Sequence, residues 1–237
     1  MMLCYKAWLE TRWRFGFVVA SILFVWLTPL WLPLLGMRLP PGPVGTKAIW
    51  VGIHVGSVLL YVLAAGILAG SGVNTQTTYG ATTGFHGSML FTLSLPVSRR
   101  QLLFVRAGLG ALQTSVLVAI MAEFTLLQIP GGASVIQSIS YIARAVACTM
   151  AIYALSTVLA CLLDEMWQCS GVCLFCVALF LAQSRSDVIA QISPFRGMSL
   201  LSYRIAAPMP WAPVLASLLF AAALLYASML ILQRKEY

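Results

Sequence analysis

Residues 212–232 read Ala-Pro-Val-Leu-Ala-Ser-Leu-Leu-Phe-Ala-Ala-Ala-Leu-Leu-Tyr-Ala-Ser-Met-Leu-Ile-Leu, without a single charge, and Gln233-Arg234-Lys235 follow at once. A bilayer core asks for about 20 predominantly apolar residues per helix. This stretch meets that length and stops at basic residues. Working outward from it, five more runs of the same kind stand at 15–35, 48–70, 107–127, 145–163 and 166–182. Nineteen of the twenty charged residues fall outside the six runs, and Glu123 is the exception. Hydrocarbon imposes such an exclusion, because a charge at mid-bilayer costs about 2.5–3.5 kcal/mol even on the lenient insertion scale. The runs are continuously apolar rather than alternating over about 10 residues, so helices are expected and a transmembrane β-barrel is not.

Composition agrees. Apolar residues make up 61% of the 237 and charged residues 8%, against roughly 45–50% and about 25% in a soluble domain. That few charges would not cover a water-facing surface. The expected fold class is all-α, a polytopic membrane protein with one transmembrane domain over 1–237. The net charge of +8 rests on 14 Lys and Arg spread along the whole chain. It reads as contact with lipid headgroups, not with nucleic acid.

The first run is too long for the apolar part of a cleaved signal peptide, which spans about 7–15 residues. It is expected to be a retained helix, bent or stopped near Pro29 and Pro33. Ahead of it, residues 2–14 set Leu3, Ala7, Trp8 and Thr11 among Lys6, Glu10 and Arg14. Two i,i+4 ion pairs are available there, and Trp8 and Trp13 suit headgroup level. The segment reads either as an interfacial amphipathic helix or as a basic tail. Six helices leave both termini on one side. With the termini cytoplasmic, eight basic residues lie inside and six outside, a weak preference for that orientation in a cell inner (plasma) membrane.

Two connections are long. Residues 71–106 begin polar and then place Phe85, Met89 and Leu93 at helical spacing with Ser88 and Thr92 beside them, which suits a short amphipathic helix. Pro96 stops it, and Ser98 with Gln101 has capping-box spacing for a new helix. Residues 183–211 contain Pro194, Pro208 and Pro210 around an apolar segment at 198–201. They are either re-entrant, with protein covering their backbone, or an ordinary loop.

The segment Leu93-Ser94-Leu95-Pro96-Val97-Ser98-Arg99-Arg100-Gln101-Leu102-Leu103 resembles the Pro-Val-Ser-Arg segment in the membrane subunits of ATP-binding-cassette exporters of the second type. The six runs, the amphipathic N-terminus and the long last connection are similar to that family in topology. The resemblance implies a cytoplasmic coupling helix around Leu93, Leu95, Pro96, Val97, Ser98, Arg99 and Arg100 that docks on a separate ATPase subunit. It also implies a second permease subunit, identical or different. Many members carry a Glu before the Pro; residues 84–95 here have no acidic residue, so Arg99 and Arg100 are the candidate charged contacts, or anchors to anionic lipid.

The chain itself lacks the chemistry for ATP. No G-x-x-x-x-G-K-[ST] is present, and residues 42–47 have Gly and Lys at the wrong spacing. No H-E-x-x-H, G-x-S-x-G or S-x-x-K constellation occurs either. No cofactor is expected on this chain, with ATP and Mg on the partner. Cys169, Cys173 and Cys176 share a helix face, and read as small apolar packing residues rather than metal ligands.

Three ionisable residues, His54, Glu123 and Arg144, fall at a similar depth toward the outer side. A Glu123–Arg144 or Glu123–His54 pair is expected, either as part of a translocation route or as a structural clasp. Gly52, Gly56, Gly66 and Gly70 form two small-x-x-x-small pairs for close helix packing. The expected function is the permease subunit of an ATP-driven exporter working by alternating access. The rivals are an intramembrane enzyme, for which inward polar groups are scarce, and a non-transporting scaffold or assembly factor.

Overall fold

A computed structural model describes residues 2–27, 43–69, 99–127, 134–163, 165–199 and 210–234. Among these residues every regular element is helical and none is a strand. The helices are α1 (Met2–Trp26), α2 (Pro43–Leu68), α3 (Arg99–Leu127), α4 (Val135–Leu162), α5 (Glu165–Arg185), α6 (Asp187–Ile192), α7 (Pro194–Met198) and α8 (Trp211–Arg234). Among the described residues four helical stretches are long and apolar enough to cross a membrane: Phe104–Leu127, Val135–Leu162, Trp167–Arg185 and Trp211–Ile231. The fold is that of an apolar helical bundle compatible with a multi-pass membrane protein.

Contacts between distant residues fix the path. The carbonyls that end α2 meet Arg14 of α1 and Gln168 of α5. Gly56, higher on α2, meets Val25 of α1, so α1 and α2 are antiparallel. Ser57 of α2 pairs with Thr125 near the end of α3, and Tyr153 near the end of α4 reaches Ala107 near the start of α3. The long helices therefore run up and down in alternation. One end of the bundle, here the basal end, holds the starts of α1, α3 and α5 and the finish of α2. The distal end holds the starts of α4 and α8.

α4 is the central helix, packed against α2, α3, α5, α7 and α8. Its buried face is built from Ala145, Cys148, Thr149, Ala151, Ala154, Ser156, Thr157, Ala160 and Cys161. Apolar surface buried between helices gains little when the alternative is lipid. Small side chains that let backbones approach are what hold such helices together. Larger groups fill the remaining space: Val18 and Ile22 from α1, Leu60 and Leu68 from α2, Leu117 and Met121 from α3, and Ile152 from α4. Hydroxyls that would be costly in hydrocarbon bond back to carbonyls one turn earlier: Ser21 to Phe17, Thr114 to Gly110, Thr125 to Met121, Thr149 to Ala145, Thr157 to Tyr153 and Ser228 to Leu224. Such back-bonding lets a Ser or Thr sit inside an apolar helix without an orphaned group.

Several expected boundaries move. The amphipathic segment and the first span are one helix, Met2–Trp26, with no break between residues 14 and 15. Thr11 is buried and accepts a hydrogen bond from Gln113 of α3 at 3.0 Å. That part of α1 is therefore docked on the bundle, not lying apart from it. Pro29, Pro33 and the rest of the expected 15–35 run lie outside the described residues. The second helix starts at Pro43, a residue suited to the first turn because its missing N–H has no partner there anyway.

The largest correction concerns the fourth run. The helix begins at Val135, ten residues before the expected 145, and Arg144 lies inside it. A capping box sets that start: Ser134 Oγ accepts from the Gln137 N–H at 3.4 Å, and Gln137 Oε1 accepts from the Ser134 N–H at 2.9 Å. Ser134→Ala removes one of these bonds and should cost about 1 kcal/mol. Thermal unfolding of the purified chain should show a midpoint lower by about 2–4 °C; an unchanged midpoint would mean the box contributes nothing.

Residues 183–211 are not a plain loop. α6 and α7 fold there, Pro194 opens α7, and Ser193 Oγ accepts from the Phe195 N–H at 3.3 Å. Gly197 and Met198 are buried against α4. The Tyr141 hydroxyl donates to the Met198 carbonyl at 3.0 Å.

Candidate functional site

Two polar layers cross the bundle. The basal layer gathers at the C-terminus of α2, whose last carbonyls have no partner within the helix. Gln168 Nε2 donates to the carbonyls of Gly66 and Ala69, each at 3.2 Å. Arg14 Nη1 reaches the Ile67 carbonyl at 3.5 Å, a cation at the negative end of a helix. The Leu68 carbonyl closes on Gly110 of α3: a Cβ there would stand 2.9 Å from that oxygen and 2.5 Å from Tyr153 Oη. Tyr153 in turn donates to the Ala107 carbonyl at 2.7 Å. Gln113 donates to Thr11 as above. The end of α2 and the start of α3 are thus held by α1, α4 and α5 at once. These two helix ends flank residues 70–98, and the start of α3 is Arg99.

The distal layer surrounds Arg144, ten residues into α4. The side chain is 1% exposed, and its guanidinium carbon stands 5.2 Å from the centre of the Tyr141 ring. That is cation–π range. Tyr61 of α2 is fully buried and faces Tyr141, Thr125 and Arg144. Cys148, one turn below Arg144, faces Ser217 of α8, and its thiol points to the Pro213 carbonyl at 3.9 Å. Gly197 of α7 lies directly on Cys148 Sγ, and a Cβ at that position would also come within 3.6 Å of Arg144 Cγ. Four segments (α2, α4, α7 and the first turns of α8) therefore come together around Arg144 and Cys148. Among the described residues the neighbours of Arg144 include hydroxyls, a thiol and an aromatic face.

The expected site residues divide. Arg144 is at the centre of the distal layer. Glu123 is exposed on α3, close to that helix's distal end, and no ion pair joins it to Arg144 among the described residues. The side chain of His54 lies outside the described residues. So do Leu93, Leu95, Pro96, Val97 and Ser98. Arg99 and Arg100 are placed only as the first residues of α3. Gly56 packs on Val25, while Gly66 has open space where a Cβ would go and offers its carbonyl to Gln168. Gly52 lies within α2, and Gly70 lies outside the described residues. Cys169 and Cys173 face outward on α5, and Cys176 is half-buried. Among the described residues no group of three His, Cys, Asp or Glu gathers as a metal site.

Sequence reasoning missed Tyr61, Tyr141, Ser217, Gly110 and Gly197. A tyrosine inside an apolar run counts as apolar bulk, and only its hydroxyl's burial gives it a polar role. One signal was available for α4: Ser134-x-x-Gln137 repeats the spacing of Ser98-x-x-Gln101.

No known family matches the sequence, and no curated protein or solved structure matches the chain.

Proposed function

We propose that this chain is the membrane subunit of an ATP-driven exporter, coupled to a separate ATPase through the segment around Leu93–Arg100. One observation carries the reading: Leu93-Ser94-Leu95-Pro96-Val97-Ser98-Arg99-Arg100 runs straight into α3. The helix ends on either side of 70–98 are tied to α1, α4 and α5 by the basal hydrogen bonds. A push on the connection would therefore reach several helices together, as rigid-body transmission between packed elements requires. The alternating path, with α1 starting and α8 finishing at the same basal end, is what six spans with both ends on one side require; the reading takes that side as the cytoplasm, at the cell inner membrane. In this reading one chain supplies half of a transport route, a second permease subunit supplies the other half, and ATP is hydrolysed on the partner. Alternating access would open the route toward either side in turn.

A scaffold or assembly factor is the alternative. Replacing Arg99 and Arg100 together by Glu separates the two readings. The exporter reading expects at least a tenfold loss of ATPase association with the folded yield intact. Association and ATP turnover unchanged in that variant would contradict the coupling role.

A further inference from the structure

We propose that Gln168 is a positioning residue in the coupling path. It ties α5 to the connection at 70–98, so that α5 follows that connection when the ATPase closes. This role rests on the exporter reading above and adds to it the helix that carries the motion outward.

The end of α2 poses the problem that Gln168 solves. The last four carbonyls of a helix have no partner in its own backbone, and unpaired backbone groups are costly in apolar surroundings. The Ala65 carbonyl still accepts from the Ala69 N–H at 3.1 Å. The four carbonyls after it belong to Gly66, Ile67, Leu68 and Ala69, and each meets another helix. Gln168 Nε2 donates to Gly66 and to Ala69, each at 3.2 Å. Arg14 of α1 reaches Ile67, and the Leu68 carbonyl lies against Gly110 of α3. A helix end that needed only to be satisfied could be closed by the residues that follow it in the chain. This one is closed from positions 53 and 102 residues away.

Gln168 has the most to transmit. It is 3% exposed, in the first turn of α5. Among the described side chains of α5 only Gln168 and Val172 are buried, while Trp167, Leu174, Val177 and Phe180 are exposed. α5 thus leans on the bundle by a narrow face and is gripped at its start by one buried amide. The two accepting carbonyls are three residues apart on α2, so they fix orientation as well as distance. A turn of the α2 end breaks one bond or the other unless α5 moves with it, and elements joined in this way shift as rigid bodies. Ala69 stands immediately before residue 70, where the connection to Leu93–Arg100 begins.

The test uses the complex isolated from its native membrane through a tag on this chain and placed in lipid nanodiscs. Spin labels on ketone amino acids replace Phe180 of α5 and Tyr226 of α8, both exposed, which leaves the cysteines untouched. The distance between them is read without nucleotide and with Mg-ATP trapped by vanadate. The native side chain should give a nucleotide-dependent shift. In Gln168→Leu, similar in size but without a donor, the shift should fall at least about fivefold, with the ATPase still bound and still turning over. Gln168→Lys restores a donor at the negative end of α2 and should keep most of the shift, which packing alone would not explain. If Gln168→Leu fails to fold, Gln168→Asn takes its place: its amide is one methylene too short to span both carbonyls, and the shift should at least halve. A shift undiminished in Gln168→Leu or Gln168→Asn would overturn the proposal. So would the absence of any shift with Gln168 in place, or a loss in Gln168→Lys equal to that in Gln168→Leu. Each of these results leaves the exporter reading standing as long as the ATPase is bound. An isolate without an ATPase removes that reading, and this role with it.

Discussion

Gly110→Val should be the most damaging single substitution in the described bundle. A Cβ at position 110 falls 2.5 Å from Tyr153 Oη and 2.9 Å from the Leu68 carbonyl. The first neighbour can swing away, but only by giving up its bond to the Ala107 carbonyl. The second is backbone and can move only with the end of α2. Overpacking of this kind costs about 3 kcal/mol, or roughly 6–12 °C in the unfolding midpoint of a chain this size. A partial rescue follows from the same geometry. Gly110→Val combined with Tyr153→Phe clears the hydroxyl but not the carbonyl, so it should recover some of the loss and not all. An unchanged midpoint in Gly110→Val would show that α2 and α3 do not approach this closely.

Gly197→Ala should be the second most damaging change, acting through the distal layer. The new methyl would overlap Cys148 Sγ and lie 3.2 Å from Cys148 Cβ. α7 would have to lift, and Tyr141 would lose the Met198 carbonyl. The expected cost is about 2 kcal/mol. Cys148→Ala removes the sulfur beneath, so the double variant should recover most of the stability. A double-mutant cycle on thermal midpoints measures this directly, since the coupling of two touching residues is about 0.5–3 kcal/mol. Additive effects, with no rescue, would mean that α7 is not seated on Cys148.

Much of the architecture was legible from apolar run length, because hydrocarbon leaves few options for backbone or charge. The runs at 48–70, 107–127, 166–182 and 212–232 lie on α2, α3, α5 and α8, whose ends extend past them or fall a residue or two short. The misplaced start of α4 has a definite cause. In sequence Arg144 reads as a charge outside the hydrocarbon, although a guanidinium can lie between helices when an aromatic face and polar neighbours are at hand. The cap at Ser134–Gln137 outweighed that signal. The docking of residues 2–14 was hidden for a different reason. Lys6, Glu10 and Arg14 suggest a surface helix, while the decisive contact, Thr11 with Gln113, joins residues a hundred positions apart.

The distal site was half legible. Arg144 is conspicuous in sequence because it falls at a similar depth to His54 and Glu123. The tyrosines and the thiol near it are not, because pairing by charge points to Glu123, which is exposed on α3. Among the described residues Tyr61, Tyr141 and Cys148 stand near Arg144, and all three read as ordinary bundle residues in sequence. Gly110 and Gly197 are single glycines whose importance lies wholly in what the neighbouring helix brings within 3 Å.

The central claim is that this chain works as the membrane half of an ATP-driven machine. The most direct measurement is ATP hydrolysis by the complex isolated from its native membrane through a tag on this chain. The account predicts Mg-dependent turnover from a co-purifying ATPase subunit, lost together with that subunit when Pro96–Arg100 is replaced. A chain that purifies without any ATPase, or whose associated turnover ignores that replacement, would contradict it.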